Sequence, residues 1–392
     1  MGISDKIKTS MEQSSWIRKM FETGALLKKE HGADKVFDFS LGNPNLDPPE
    51  EFKKALFKIA GTNYPNKHSY MPNAGYPDIR KKTADYISGE YGIIMPAENC
   101  IMTCGAGGAL YVILKTILNP GDTVIVSKPC FMEYKFYTDN HQGTLETCSC
   151  REDFDLDIEA IEAAITEKTA AVLINSPNNP SGKVYPEDTI KKLSSMLEKK
   201  SSETGRIVYL VSDEPYRRIV FDGIKVPSIF KYYKNSIVAT SFSKDLSIPG
   251  ERIGWLAIHP EADDLSGLVN GSILCNRILG YVNAPALMQR IIGEVINSSV
   301  VVSVYKTNRD LLCTELKAMG YGLNIPEGAF YLFPKAPGGD DVAFTKKLQN
   351  ELILTVPGSG FAMPGYFRIA YCVNEKVIRN ALPGFRKALE KS

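Results

Sequence analysis

The chain has 392 residues, 44% of them hydrophobic and 23% charged, with a formal net charge of +1. A length beyond about 250–300 residues predicts two domains, and the near-neutral charge excludes nucleic-acid or membrane-surface binding driven by electrostatics. No early apolar run reads as a secretory leader or membrane span; eight cysteines with only Cys148 and Cys150 close together, and four scattered histidines, predict free thiols in a reducing cytoplasm and no metal site.

In chain order, residues 5–30 read as a helix, with Trp16, Met20, Phe21, Leu26 and Leu27 recurring among Lys and Glu. Residues 37–41 alternate as a short strand. The Gly/Pro-rich stretch from Gly42 to Pro49 then marks a candidate domain boundary. A second glycine–proline cluster at 70–80 leads into a helix ending near Tyr91. From residue 100, apolar runs of strand length at 101–103, 123–126, 170–174, 207–211, 237–240 and 252–258 are interspersed with helical stretches at 109–118, 158–166 and 188–199. Strands buried on both faces between helices predict an α/β fold with a mostly parallel sheet. Ligands of such sheets bind beyond the carboxyl ends of the strands. A long helix over 300–318, strands at 329–333 and 367–371, and helices at 342–351 and 374–390 predict a smaller α+β domain.

Chemistry collects at strand ends. After the run at 237–240 come Ser241, Ser243, Lys244 and Arg252. An amine in a partly dry setting forms Schiff bases with aldehydes, and a guanidinium fork with two hydroxyls suits a phosphate. An aldehyde that carries a phosphate is pyridoxal phosphate; taken alone, the stretch reads equally as a solvated charged loop. Gly105, Ala106, Gly107 and Gly108 stand between a strand and a helix, where backbone N–H groups and a helix N-terminus favour an anion. Their spacing is neither a P-loop nor a dinucleotide fingerprint, and a structural turn is the competing reading. Asn178 and Asn179, between prolines, form a rigid turn or present an amide to a phenolate oxygen. Asp213, at the end of a buried run, needs a cation, and a protonated pyridine nitrogen is one. Each signal is weak singly; together they fit one ligand.

The set Gly-Ala-Gly-Gly-Ala-Leu from Gly105, Asn-Pro-Ser-Gly from Asn179, Asp213-x-x-Tyr216, Ser241-x-Ser-Lys244 and Arg252-Ile-Gly254 extends from Leu41-Gly42-Asn43-Pro44 to Phe367-Arg368-Ile369-Ala370. It resembles the fold-type I pyridoxal-phosphate enzymes of the class I/II, aspartate aminotransferase-like family. The resemblance implies Lys244 as the Schiff-base lysine and proton shuttle of a ping-pong transamination between an L-amino acid and a 2-oxo acid. Asp213 would pair with the pyridine nitrogen, Asn179 and Tyr216 with the ring oxygen, and Phe131 would stack on the ring. Gly105, Ala106 and Gly107, with Ser241, Ser243 and Arg252, would hold the phosphate. Tyr70 would reach the phosphate from a neighbouring subunit, implying a homodimer. Arg368, helped by Asn179 and Gly42, would grip the substrate carboxylate.

Three positions depart from commoner family forms: Phe131 in place of tryptophan or tyrosine, Gly107 without a side chain, and Ser181 in place of threonine. The implied architecture is a large cofactor domain over residues 46–290 and a small domain from residues 1–45 and 291–392. A C–S β-lyase on the same fold uses the same lysine and carboxylate clamp. A non-catalytic binding or regulatory protein is the remote alternative, against which the retained Lys244, Asp213 and Arg368 argue. Arg277 lies where some aspartate aminotransferases carry an arginine for a substrate side chain, but a surface or interface arginine is the favoured reading. Tyr281, Phe361 and Tyr366 leave aromatic or neutral substrates open.

Overall fold

A computed structural model describes residues 2–12, 16–63 and 65–390. The N-terminal part contains α1 (Asp5–Glu12), α2 (Trp16–His31), β1 (Phe37–Asp38), α3 (Glu50–Gly61) and α4 (Pro77–Tyr91). The helix expected over 5–30 is helical over both described parts, α1 and α2; residues 13–15, and the side chain of Phe21, lie outside the described residues. Pro77 opens α4, where its missing N–H costs nothing, and Gly92 closes it in the left-handed region at φ 67°.

The central sheet is built from β2 (Cys100–Thr103), α5 (Gly105–Ile117), β3 (Thr123–Ser127), α6 (Glu133–Asp139), β4 (Thr144–Cys148), α7 (Ile158–Ala164), β5 (Thr169–Asn175), α8 (Glu187–Thr204), β6 (Tyr209–Asp213), β7 (Ser236–Ser241) and β8 (Gly254–Ile258). Its seven strands lie in the order β2-β8-β7-β6-β5-β3-β4. Neighbours from β7 through β4 pair in parallel, and β8 runs antiparallel to both β7 and β2. Side chains alternate between two cores: Val172, Ile174, Leu210 and Val238 enter one, Ala171, Leu173, Val211 and Ala239 the other. That two-sided burial is why these strands read as unbroken apolar runs.

The remaining elements are α9 (Leu265–Ile278), α10 (Ala286–Val295), α11 (Val302–Met319), β9 (Tyr331–Leu332), α12 (Asp341–Asn350), β10 (Ile353–Leu354), β11 (Val356–Pro357), β12 (Phe367–Ala370) and α13 (Glu375–Glu390). Strands β11, β12 and β9 form a small antiparallel sheet, and β1 pairs in parallel with β10. Another core gathers Phe39, Leu312, Leu316, Phe344, Phe367 and Phe385, and draws in Tyr216 from the loop after β6. Asp157, Asp264 and Asp340 cap α7, α9 and α12 by accepting from a backbone N–H three residues on. Among the described residues no helix is long and apolar enough to cross a membrane, and no group of three or more His, Cys, Asp or Glu side chains could hold a metal ion.

Candidate active site

Asn175, Asp213 and Ser241 are the last residues of β5, β6 and β7, three adjacent parallel strands. Their carboxyl ends open into a cavity of about 290 Å³. Its wall includes Gly42, Ala106, Gly107, Phe131, Asn179, Asp213, Tyr216, Ser241, Ser243, Lys244, Arg252 and Arg368, so most of the residues singled out in the sequence face one space. Gly105 sits just behind it, with the Arg252 guanidinium so close that an added Cβ would lie 3.0 Å from Nη2. Tyr70 is the outlier: it is 89% exposed and not part of the wall. Arg277 is exposed near the end of α9 and is likewise outside the lining.

The glycine run is not a loop ahead of the helix, as expected, but its first turn. α5 begins at Gly105, and Cys104 before it makes no side-chain cap. The first turn of α5, with its unpaired backbone N–H groups, therefore shares the cavity wall with Ser241, Ser243 and Arg252, a donor set suited to a dianion. Arg252 itself adopts the left-handed region at φ 51°, which costs about 1 kcal/mol in a residue with a Cβ.

Asp213, elsewhere in the cavity wall, is buried. Its Oδ2 accepts from the Tyr134 hydroxyl at 2.7 Å, while Oδ1 has no partner among the described residues. Desolvation, with a smaller push from Glu214, raises its carboxyl to about 7 against the pull of the Tyr134 hydrogen bond. Asn175 ties the neighbourhood together, donating from Nδ2 to the Asp213 carbonyl at 2.8 Å and accepting the Asn179 N–H at 2.7 Å. An orphaned buried carboxylate oxygen calls for a cation, a need that a protonated pyridine nitrogen would meet.

Lys244 Nζ donates to the Gly42 carbonyl at 2.8 Å. Burial lowers its ammonium to about 8, with the Arg368 and Arg252 charges acting in the same direction and Cys372 opposing them. Arg368, on β12, is 2% exposed, donating from Nη1 to Asn179 Oδ1 at 2.9 Å and from Nη2 to the Ser40 carbonyl at 2.6 Å. Its Nε is unpartnered among the described residues. The guanidinium lies between the rings of Tyr331 and Phe361, 4.6 and 4.7 Å from their centroids.

Tyr134 and Tyr331 are among the wall residues left unassigned in the sequence. Tyr134 stands three residues after Phe131 and donates its backbone N–H to the Phe131 carbonyl at 3.2 Å; that nearness in sequence is the signal that could have found it. Tyr331 offers no such signal: its hydroxyl meets that of Tyr216 at 2.8 Å across 115 residues of chain.

The family model for aminotransferase class I and II matches residues 34–385. A probable aspartate aminotransferase from Methanocaldococcus jannaschii is 31% identical over 363 residues, covering 90% of this chain and 93% of that protein. An aspartate/prephenate aminotransferase from Thermus thermophilus is 30% identical over 379 residues, with 94% of each chain covered. Among solved structures, an amino transferase from Eubacterium rectale superposes with a TM-score of 0.96 at 38% identity, covering 100% of this chain and 99% of its own. The Thermus thermophilus aspartate aminotransferase with maleate gives 0.89 at 27% identity, covering 99% of this chain and 100% of its own.

Proposed function

The chain belongs to the class I and II aminotransferases, and we propose that it carries pyridoxal 5'-phosphate on Lys244 and moves an amino group between an L-amino acid and a 2-oxo acid within this cavity. The activity class, a pyridoxal-phosphate-dependent aminotransferase of fold type I, comes with the family; the residue roles are the proposal. The observation that carries it is the buried, unpartnered Asp213 Oδ1 in the same cavity as a lysine of lowered pKa.

The α5 N-terminus with Ser241, Ser243 and Arg252 would hold the phosphate, and Asp213 the ring nitrogen. Asn179 spends its amide oxygen on Arg368, which leaves its Nδ2 protons to donate, beside the Tyr216 hydroxyl, to the ring oxygen. Phe131 supplies an apolar face for the ring. When bound, the cofactor supplies the electron sink that acidifies the substrate Cα–H. Arg368 binds the substrate α-carboxylate and so orients that bond toward Lys244 Nζ. Lys244 Nζ would take the proton from the substrate Cα and hold it for return in the second half of the transfer. Its lowered pKa leaves a useful fraction of neutral amine near neutrality.

A division into a large unit over about 46–290 and a small unit from 1–45 and 291–392 is supported by the separate cores and by the pairing of β1 with β10, although α10 continues past residue 290 and packs Ile291, Ile292 and Val295 in the large unit's core. A homodimer completed by Tyr70 is supported by the exposure of Tyr70 beside Met71–Asn73, a segment hydrogen-bonded to Asn276, Val282 and Asn283. Leu274 and Ile278 on the neighbouring α9 are exposed as well, an apolar surface that a second copy would cover. Eight free thiols support a cytoplasmic setting.

Aspartate is the first donor to test, since several relatives are named for it. The experiment is a panel of amino donors against 2-oxoglutarate and pyruvate. Amino transfer that requires a 2-oxo acid is expected; pyruvate and ammonia released from cystathionine without one would replace the proposal by a lyase.

A further inference from the structure

Tyr331 touches more of the machinery than any role so far assigned to it requires. It is 2% exposed in β9 and lines the cavity. Its hydroxyl lies 2.8 Å from that of Tyr216, with the two rings edge to face at 83°. Its ring covers one side of the Arg368 guanidinium, and Ala370, two residues along β12, is its strand partner. The hydroxyl also occupies the space above Gly42, where an added Cβ would lie 1.8 Å from it. Gly42 is in turn the acceptor for Lys244. Cofactor side, carboxylate side and lysine meet at this one phenol.

In a pair of hydroxyls one proton lies between the oxygens and the other is free to point elsewhere. The better donor of two phenols is the one nearer a positive charge, because the charge withdraws electron density from its O–H. Arg368 stacks on Tyr331, whereas Tyr216 faces the rings of Phe330 and Tyr331. Burial raises both phenols, but Tyr331 is held to about 12 by Arg368 and by Tyr216, while Tyr216 stands well above its ordinary value. We propose that Tyr331 is a positioning residue for amino transfer: its hydroxyl donates to Tyr216 Oη, which turns the Tyr216 proton into the cavity, while its ring braces Arg368 for the substrate carboxylate. The inference rests on the reading of Tyr216 as a donor to the cofactor's ring oxygen. The titratable and charged groups facing the pair are Arg368 on β12, Cys372 just after it, Asp213 at the end of β6 and Lys244 after β7.

The hydroxyl and the ring are separable by mutation. Cofactor-free wild type, Y331F, Y331L and Y216F are reconstituted with pyridoxal phosphate, and the pH midpoint of the visible absorbance of each is titrated. A donor to the ring oxygen stabilises its negative charge most when the linked nitrogen carries no proton, so weakening that donor raises the midpoint. Y331F should raise it by about 0.3–0.5 unit, in the same direction as Y216F and by less, because it removes only the polarising neighbour. Y331F, which keeps the ring, should leave the amino-donor KM within about twofold, whereas Y331L should raise it about tenfold or more. A Y331F midpoint within about 0.1 unit of wild type, with Y216F displaced, overturns the inference and leaves the role of Tyr216 standing. Midpoints unchanged in both variants overturn the role of Tyr216 and the inference with it. Equal KM increases in Y331F and Y331L refute the separate role of the ring.

Discussion

Replacing Asp213 by asparagine is expected to stabilise the cofactor-free protein above pH 7 while removing its hold on the cofactor. Burial raises the Asp213 carboxyl from 3.8 to about 7. The folded protein thus keeps a proton in a window where the unfolded chain has released it. Stability from that proton is complete below the unfolded value and is lost as the pH rises through 7. A gap of about three units corresponds to about 4 kcal/mol, of which about 3 kcal/mol falls above pH 5. Asparagine has nearly the same shape, can still accept from Tyr134 and does not titrate. Urea unfolding of the two cofactor-free proteins at about pH 5 and about pH 8 measures the effect. The difference in unfolding free energy should shift toward the variant by about 3 kcal/mol over that interval. Added cofactor should reverse the order at the higher pH, because a ring-nitrogen cation satisfies Oδ1 only in the wild type. A difference that does not change with pH would refute the reasoning.

Further outcomes follow from the same geometry. With its ammonium lowered to about 8, Lys244 should attach the cofactor to cofactor-free protein at a rate that climbs about tenfold per pH unit below 8 and levels above it; a rate flat across that range in stopped-flow absorbance contradicts the assignment. Gly42→Ala places a Cβ 1.8 Å from the Tyr331 hydroxyl, so it should cost about 1–3 kcal/mol in thermal unfolding and break the Tyr216–Tyr331 contact; an unchanged melting temperature argues against that packing. Arg218 donates to the carbonyls of Ile296, Asn297 and Ser298, which join α10 to α11, at distances of 2.6–3.2 Å. Arg218→Met should speed amide exchange across residues 296–301 and cost about 2–3 kcal/mol, and unaltered exchange there would remove the clasp from the account.

The central sheet was legible because its strands are buried on both faces and read as apolar runs. β4 escaped notice for the opposite reason: it is the edge strand, with Thr144, Glu146 and Thr147 exposed, and lacks the apolar run. The start of α5 was read four residues late, since glycines are poor helix formers and only the tertiary setting holds Gly105–Gly108 in the first turn. α3, α6, α9 and α10 were not recognised as helices. The strand expected over 329–333 is only Tyr331–Leu332. Site residues tied to a local motif, such as Lys244 after Ser241 or Asp213 before Tyr216, can be singled out in a sequence; Tyr331 cannot, since its partners Tyr216 and Gly42 stand far from it along the chain and meet it only after folding. Tyr70 is exposed and is not part of the cavity wall, so the geometry of one chain adds nothing to the role its motif suggests.

The most direct test of the account is borohydride reduction of the purified, cofactor-loaded protein, followed by mass mapping of its peptides. Reduction fixes a lysine–cofactor link as a stable amine. The account predicts a phosphopyridoxyl mass on the peptide that carries Lys244, and none in Lys244→Ala. The same mass on another lysine with Lys244 unmodified, or no labelled peptide at all, would contradict it.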